Sequence, residues 1–215
     1  MTENNRNAGI DLLKILSMFM VIILHVNLAS GFLAVQDGFP CSYQVAWILE
    51  IISYCAVNCY ALVSGYVGSQ HGFKLKNIFN LWICVVFYSV IITIGYVIIT
   101  EDFQINYLVK AIFPIIFDQY WFFTAYFCMF FFIPLMNLFI KMLSIYQKKV
   151  LCSLLIGIFS VLGIVSIRAN PGGYTVIWMI ILYLIGASLN SLNLFEDRKC
   201  IWGGICSVCN IDLVK

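Results

Sequence analysis

Lys14 and His25 stand eleven residues apart in an otherwise apolar stretch, and their types and spacing are the first sign of chemistry in this chain. At about 100° per residue, eleven steps return to within about 20° of the starting direction, so the ammonium and the imidazole share one stripe of a helix. They lie roughly 16 Å apart along its axis. An ionisable group inside a spanning helix costs about 2.5 to 3.5 kcal/mol on insertion scales, so its presence marks a functional site by default. Three uses suit the pair. The imidazole can transfer a proton in catalysis, both groups can line a polar pathway, or the histidine can donate to a neighbouring helix. Asp11, three residues before Lys14 and on nearly the same face, either neutralises it as an i,i+3 partner or joins the site as a substrate-binding group.

The elements that must position these groups are membrane helices. Of 215 residues, 63% are hydrophobic and 10% charged, and the mean hydropathy is +0.98, more apolar surface than a soluble domain of this length can bury. A net charge of +2, dispersed along the chain, gives no sign of a nucleic-acid partner, and the lipid bilayer is the expected surrounding phase. The first apolar segment is too long for a signal-peptide core and lacks a small-residue cleavage site, so it reads as a span. A window of about 19 residues gives an all-α bundle of about six spans, at 10–31, 45–67, 77–99, 120–140, 150–167 and 174–192. Segment 105–117, interrupted by Lys110 and Pro114, is too short to cross and reads as an interfacial helix or a buried core helix.

With the amino terminus inside, Arg6, Lys14, Lys74, Lys76, Lys141, Lys148, Lys149, Arg198 and Lys199 gather on the cytoplasmic side, against Lys110 and Arg168 outside. That asymmetry selects the topology. The organisation expected is a transmembrane unit over 1–194 and a short tail over 195–215, the latter reading either as a seventh span cut short or as the tail of a six-span protein.

Other polar residues have structural readings beside functional ones. Ser64-Gly65 is a small pair that allows close helix packing, and no Gly-x-Ser-x-Gly elbow accompanies it. Asn58 can bond to another helix, whereas Glu50 faces either a cavity or interfacial water. Tyr120, Trp121 and Tyr126 suit an aromatic belt or a sugar-stacking surface. Lys74 and Lys76, with His71, occupy the loop after the second span and by themselves read as positive-inside residues. Arg168 and the turn at 170–173 carry no chemical spacing. Nine cysteines form no disulfide framework, and Cys200, Cys206 and Cys209 lack a nearby histidine, so no metal site is expected.

The stretch Asp11-Leu-Leu-Lys14 followed by His25 resembles the first-helix signature of the membrane acyltransferase-3 family, in which a basic residue precedes a histidine by the same interval. Val57-Asn-Cys-Tyr-Ala-Leu-Val-Ser64-Gly65-Tyr66 is similar to its second-helix segment, and Tyr120-Trp121-Phe-Phe-Thr-Ala-Tyr126 to its aromatic motif, in the same order. The resemblance runs over about 10–194, although the family usually has about ten spans.

What the resemblance implies is an inner-membrane O-acyltransferase. It takes an acetyl group from acetyl-CoA and places it on a hydroxyl of a cell-envelope carbohydrate or lipid-linked glycan. His25 becomes the general base, a role contributing about 10² to 10⁴ in rate. Lys14 becomes a contact for the donor phosphates, a point charge where many members have arginine. Lys74 and Lys76 join it as donor-binding candidates, although the family's paired arginines are replaced here by lysines at another spacing. Asp11, Ser64, Tyr66, Trp121 and Tyr126 become substrate-binding candidates. Two alternatives stand beside this reading: an inactive truncated remnant of such an enzyme, and a small-molecule transporter.

Overall fold

The computed structural model describes residues 7–31, 40–70, 72–165 and 175–192. His71, Arg6, Arg168, the turn at 170–173, the loop at 196–199 and the tail with its three cysteines lie outside the described residues. Every regular element among the described residues is a helix. They are α1 (Ala8–Ser30), α2 (Pro40–Ser53), α3 (Ala56–Gly68), α4 (Leu75–Thr100), α5 (Ile105–Ile112), α6 (Trp121–Phe130), α7 (Ile133–Met142), α8 (Ile145–Val165) and α9 (Val176–Ser191).

α1 begins where Asn7 caps it, its Oδ1 accepting from the backbone N–H groups of Gly9 at 3.0 Å and Ile10 at 3.4 Å. Asp11 sits in the first turn, where the helix dipole favours negative charge. The helix ends at Gly31, whose φ of 65° closes it in the left-handed region.

Two expected spans are interrupted. The second is divided at Tyr54–Cys55, where the Tyr54 N–H reaches back to the Ile51 carbonyl at 3.4 Å, an i to i−3 bond that tightens the turn. α2 and α3 nevertheless form one apolar run, Tyr43–Gly68. The fourth bends by 56° between α6 and α7. Pro134 enters the first turn of α7, where it has no N–H to give and its ring displaces the carbonyl four residues earlier. Among the described residues α1, Tyr43–Gly68 and α4 are long and apolar enough to cross a membrane, with α6–α7 a fourth if the bent pair is one span. α5 is a separate short helix beside α4, held by the Tyr96–Tyr107 edge contact at 5.8 Å and by the Tyr107 hydroxyl donating to Asp102 Oδ2 at 3.2 Å.

α9 is the hub. It packs on α3, α6, α7 and α8, and Met179, Tyr183 and Ser188 on it are fully buried. Its tightest contact is with α3, through reciprocal glycines. A β-carbon on Gly65 would lie 2.8 Å from the Tyr183 carbonyl carbon, and one on Gly186 would lie 2.9 Å from the Leu62 carbonyl carbon and 3.0 Å from the Tyr66 nitrogen. Only backbone hydrogens fit there. Between apolar helices in lipid, where hydrophobic burial gives no net drive, such close approach supplies the dispersion that holds a pair together. Polar ties frame the contact. Trp178 Nε1 donates to Asn58 Oδ1 at 2.9 Å toward one end, which is the interhelical role expected for Asn58. Toward the other, Asn190 Nδ2 donates to Ser69 Oγ at 3.0 Å and Gln70 Nε2 to Asn190 Oδ1 at 2.8 Å. The Tyr183 hydroxyl donates to Asn137 Oδ1 at 3.0 Å, and Asn137 Nδ2 donates to the Gly68 carbonyl at 3.2 Å, which ties α7 into the same cluster.

Replacing either reciprocal glycine by alanine pushes a methyl against backbone that cannot rotate away, so Gly65→Ala and Gly186→Ala are each expected to destabilise by about 1 to 3 kcal/mol. Gly157→Ala is the control, because no atom lies within 4 Å of the added carbon. Thermal unfolding in detergent should show lower midpoints for the first two and not for the third.

Candidate functional site

α1 carries the polar stripe past two cavities. Lys14, Met18, Val21 and His25 follow one another at i, i+4, i+7 and i+11, so they face one direction. Lys14 lines a cavity of about 440 Å³ together with Tyr60, Ser64, Lys74, Asn77 and Tyr126. Met18, Val21 and His25 line a second, of about 600 Å³, together with Tyr60, Ser89, Tyr120, Trp121 and Phe122. The stripe passes from one cavity to the next within about one helical turn.

His25 Nδ1 lies 2.8 Å from the Val21 carbonyl oxygen. A carbonyl only accepts, so Nδ1 carries the proton in that bond and donates it. Neutral imidazole then has its lone pair on Nε2, the form a general base requires. The helix itself sets this tautomer, because the carbonyl one turn earlier lies directly beneath a side chain that leans toward the amino terminus.

α3 supplies the opposite wall by the same periodicity. Tyr60, Val63, Ser64 and Val67 form its cavity face, whereas Ala61, Leu62 and Gly65 turn toward α9. The small pair is therefore divided. Gly65 does the close packing expected of both, and Ser64, about 100° round the helix, lines the Lys14 cavity. Tyr66 lies outside both linings, its backbone nitrogen close to Gly186. Lys74 lines the Lys14 cavity, whereas Lys76, two residues on, is exposed outside it. Asp11 is one turn from Lys14 on α1 and is not part of either lining.

The aromatic motif is delivered by a turn at Asp118, whose φ of 46° is a left-handed conformation that aspartate tolerates better than most side chains. Gln119, Tyr120 and Trp121 follow and wall the His25 cavity, where the Tyr120 hydroxyl donates to Ser89 Oγ at 3.3 Å. Tyr126, five residues on, faces the Lys14 cavity and stacks on Phe122 with ring centroids 6.1 Å apart. The motif thus contributes to both cavities.

Sequence reasoning missed Tyr60, Ser89 and Asn27. Tyr60 had a signal, since it precedes Ser64 by one turn and so shares its face. Ser89, on α4, and Asn27 had none, because their partners come from distant helices. Asn27 Nδ2 donates to Glu50 Oε2 at 3.0 Å and to the Ala46 carbonyl at 3.3 Å, which clamps α1 to α2 two residues beyond His25. Glu50 therefore serves this helix contact and lies outside both cavity linings. Cys55, Cys59, Cys84, Cys128 and Cys152 are free thiols. Among the described residues no three His, Cys, Asp or Glu side chains converge as a metal site would require.

The model of the acyltransferase domain, acyltransferase 3, matches residues 7–207, nearly the whole chain. The chain belongs to the acyltransferase-3 family. No curated protein and no solved structure matches it. Family membership and the long apolar helices together support a membrane acyltransferase, and both cavities lie inside the matched region.

In this acyltransferase the Asn27 clamp fixes the end of α1 that carries His25. Glu50→Gln keeps an acceptor for the Asn27 amide and should melt like the parent, whereas Glu50→Leu removes that acceptor and leaves the amide only its longer bond to the Ala46 carbonyl. The expected loss is about 1 kcal/mol, read as a lower thermal midpoint for the leucine variant alone.

Proposed function

We propose that the protein is an O-acyltransferase of the inner (cytoplasmic) membrane that moves an acetyl group from acetyl-CoA to a hydroxyl of a cell-envelope carbohydrate, free or lipid-linked. The carrying observation is the contact of His25 Nδ1 with the Val21 carbonyl beside a cavity large enough for reactants: that bond occupies Nδ1 and leaves Nε2 to accept a proton.

A hydroxyl is a weak nucleophile at neutral pH. Nε2 takes its proton as the oxygen attacks the thioester carbonyl, the new oxygen–carbon bond forms, the carbon–sulfur bond breaks, and the imidazolium returns the proton to the departing thiolate. Lys14 and Lys74 bring two ammonium groups to the neighbouring cavity, a suitable place for the donor's phosphates. The roughly 16 Å from Lys14 to His25 along α1 is then the distance that the donor's flexible arm covers. Lys76 attracts the anionic donor from outside the lining, and Asp11 tempers the positive charge at the start of α1. Ser64 and Tyr126 lie on the donor side, Trp121 on the side of the acyl group and acceptor. Tyr66 acts as support for the α3–α9 contact. Six spans with the amino terminus inside put the lysine end of α1 in the cytoplasm, where acyl-CoA is found, on the strength of the positive-inside asymmetry.

Membranes containing the protein, given radiolabelled acetyl-CoA and an envelope-glycan extract, should incorporate label. His25→Ala should lower the rate by about 10² to 10⁴. Lys14→Ala should raise KM for acetyl-CoA more than it lowers kcat, because it removes binding that is equal in ground and transition states. Folded parent protein without transfer, or His25→Ala at the parental rate, would overturn the reading.

A further inference from the structure

We infer that Tyr60 is a movable partition between the two cavities, controlling passage of a linear chain from the lysine side to the histidine side. Tyr60 belongs to both linings. Its hydroxyl donates to the Lys14 carbonyl at 3.0 Å, so the side chain reaches across from α3 and is tethered to α1 at the residue where the polar stripe changes cavity. Lys14 faces one cavity, Met18 the other, and about 6 Å of helix axis separates them. The Tyr60 ring lies at that boundary. It completes an aromatic wall by meeting Phe122 at 6.4 Å, and Phe122 in turn stacks on Tyr126. Phe122 lines the histidine cavity and Tyr126 the lysine cavity, so the wall has one side in each.

The tether is a neutral hydrogen bond to a backbone carbonyl, and the ring is half-buried rather than packed in the core. Breaking one bond and turning χ1 opens the wall without moving a helix. The occupant of the passage is a flexible, uncharged, linear arm, because the boundary residues Tyr60, Met18 and Phe122 offer aromatic and apolar surface with no counter-charge. This rests on the acyl-CoA reading only in naming the arm as that of the thioester donor. The partition itself is a property of the two cavities. Its use would be to hold water back from the thioester until the arm displaces the ring.

Cys84 is a native reporter, since it lines the histidine cavity and its remaining exposure is on the apolar α4 that lipid covers, and Cys152, buried between α8 and α9, is an internal control. The protein is placed in lipid nanodiscs, where lipid covers its apolar flank, and treated with the pyridyl disulfide of pantetheine or of coenzyme A. Modified cysteines are identified by peptide mass spectrometry. With the pantetheine probe, Tyr60→Ala should label Cys84 at least about tenfold faster than the parent. Tyr60→Phe, which keeps the ring and loses the tether, should give an increase of a few-fold, and Cys152 labelling should not change. A Cys84 rate in Tyr60→Ala within twofold of the parent overturns the partition. So does a parallel rise at Cys152, which would mean a loosened fold. The donor reading is judged separately. It requires faster, Lys14-dependent labelling by the coenzyme A probe than by pantetheine, and equal rates count against that reading while the pantetheine result still decides the role of Tyr60.

Discussion

Backbone meets backbone where α3 crosses α9, and the rest of the structure hangs on that crossing. Gly65 and Gly186 each leave the space that the other helix's carbonyl fills. In water such a contact would be a minor part of a large apolar core, but in lipid the surrounding chains are as apolar as the helix faces, and shape complementarity has to supply the attraction. The consequence reaches the site directly. Turning one face of α3 onto α9 fixes its opposite face, so Tyr60 and Ser64 are aimed at α1 because Ala61 and Gly65 are not. Side-chain bonds at both ends of the crossing, from Trp178 to Asn58 and among Ser69, Gln70 and Asn190, set its register.

α1 is held more lightly. It packs on α2 and α3, with many of its apolar side chains exposed, and its interhelical bonds among the described residues include the Tyr60 hydroxyl on the Lys14 carbonyl and the Asn27 amide on Glu50 and Ala46. Those ties bracket the polar stripe, one toward each end. Buried Ser17 bonds its hydroxyl to the Leu13 carbonyl at 2.7 Å and also lies in hydrogen-bond contact with Cys59 of α3. The helix that carries Lys14 and His25 is therefore located in part by ties near each end of its polar stripe, with the two cavities beside it.

Part of the candidate site's geometry was legible as periodicity. The eleven-residue interval placed Lys14 and His25 on one stripe, and the structure fills that stripe with Met18 and Val21. The fold was legible as hydropathy, and the helices fall close to the apolar segments. Where the reading and the structure part, a local cause is visible. The bend between α6 and α7 comes from Pro134, which hydropathy averages do not register. Ser64-Gly65, taken as one packing unit, is split because neighbouring residues on a helix point about 100° apart. Trp121 and Tyr126, which as residue types fit an interfacial belt, face two different cavities because the Asp118 turn and the start of α6 aim them inward.

The sequence by itself determined the membrane class, the helical elements, the family signature and the pairing of a cation with an imidazole, because each depends on composition or on spacing within a single helix. The tertiary structure decided that the cation and the imidazole lie in separate cavities, that Tyr60 stands between them, and that Glu50 serves a clamp. Those facts depend on which faces of α1, α3 and α6 meet. Helix spacing says which residues share a face, but only packing says what that face looks at.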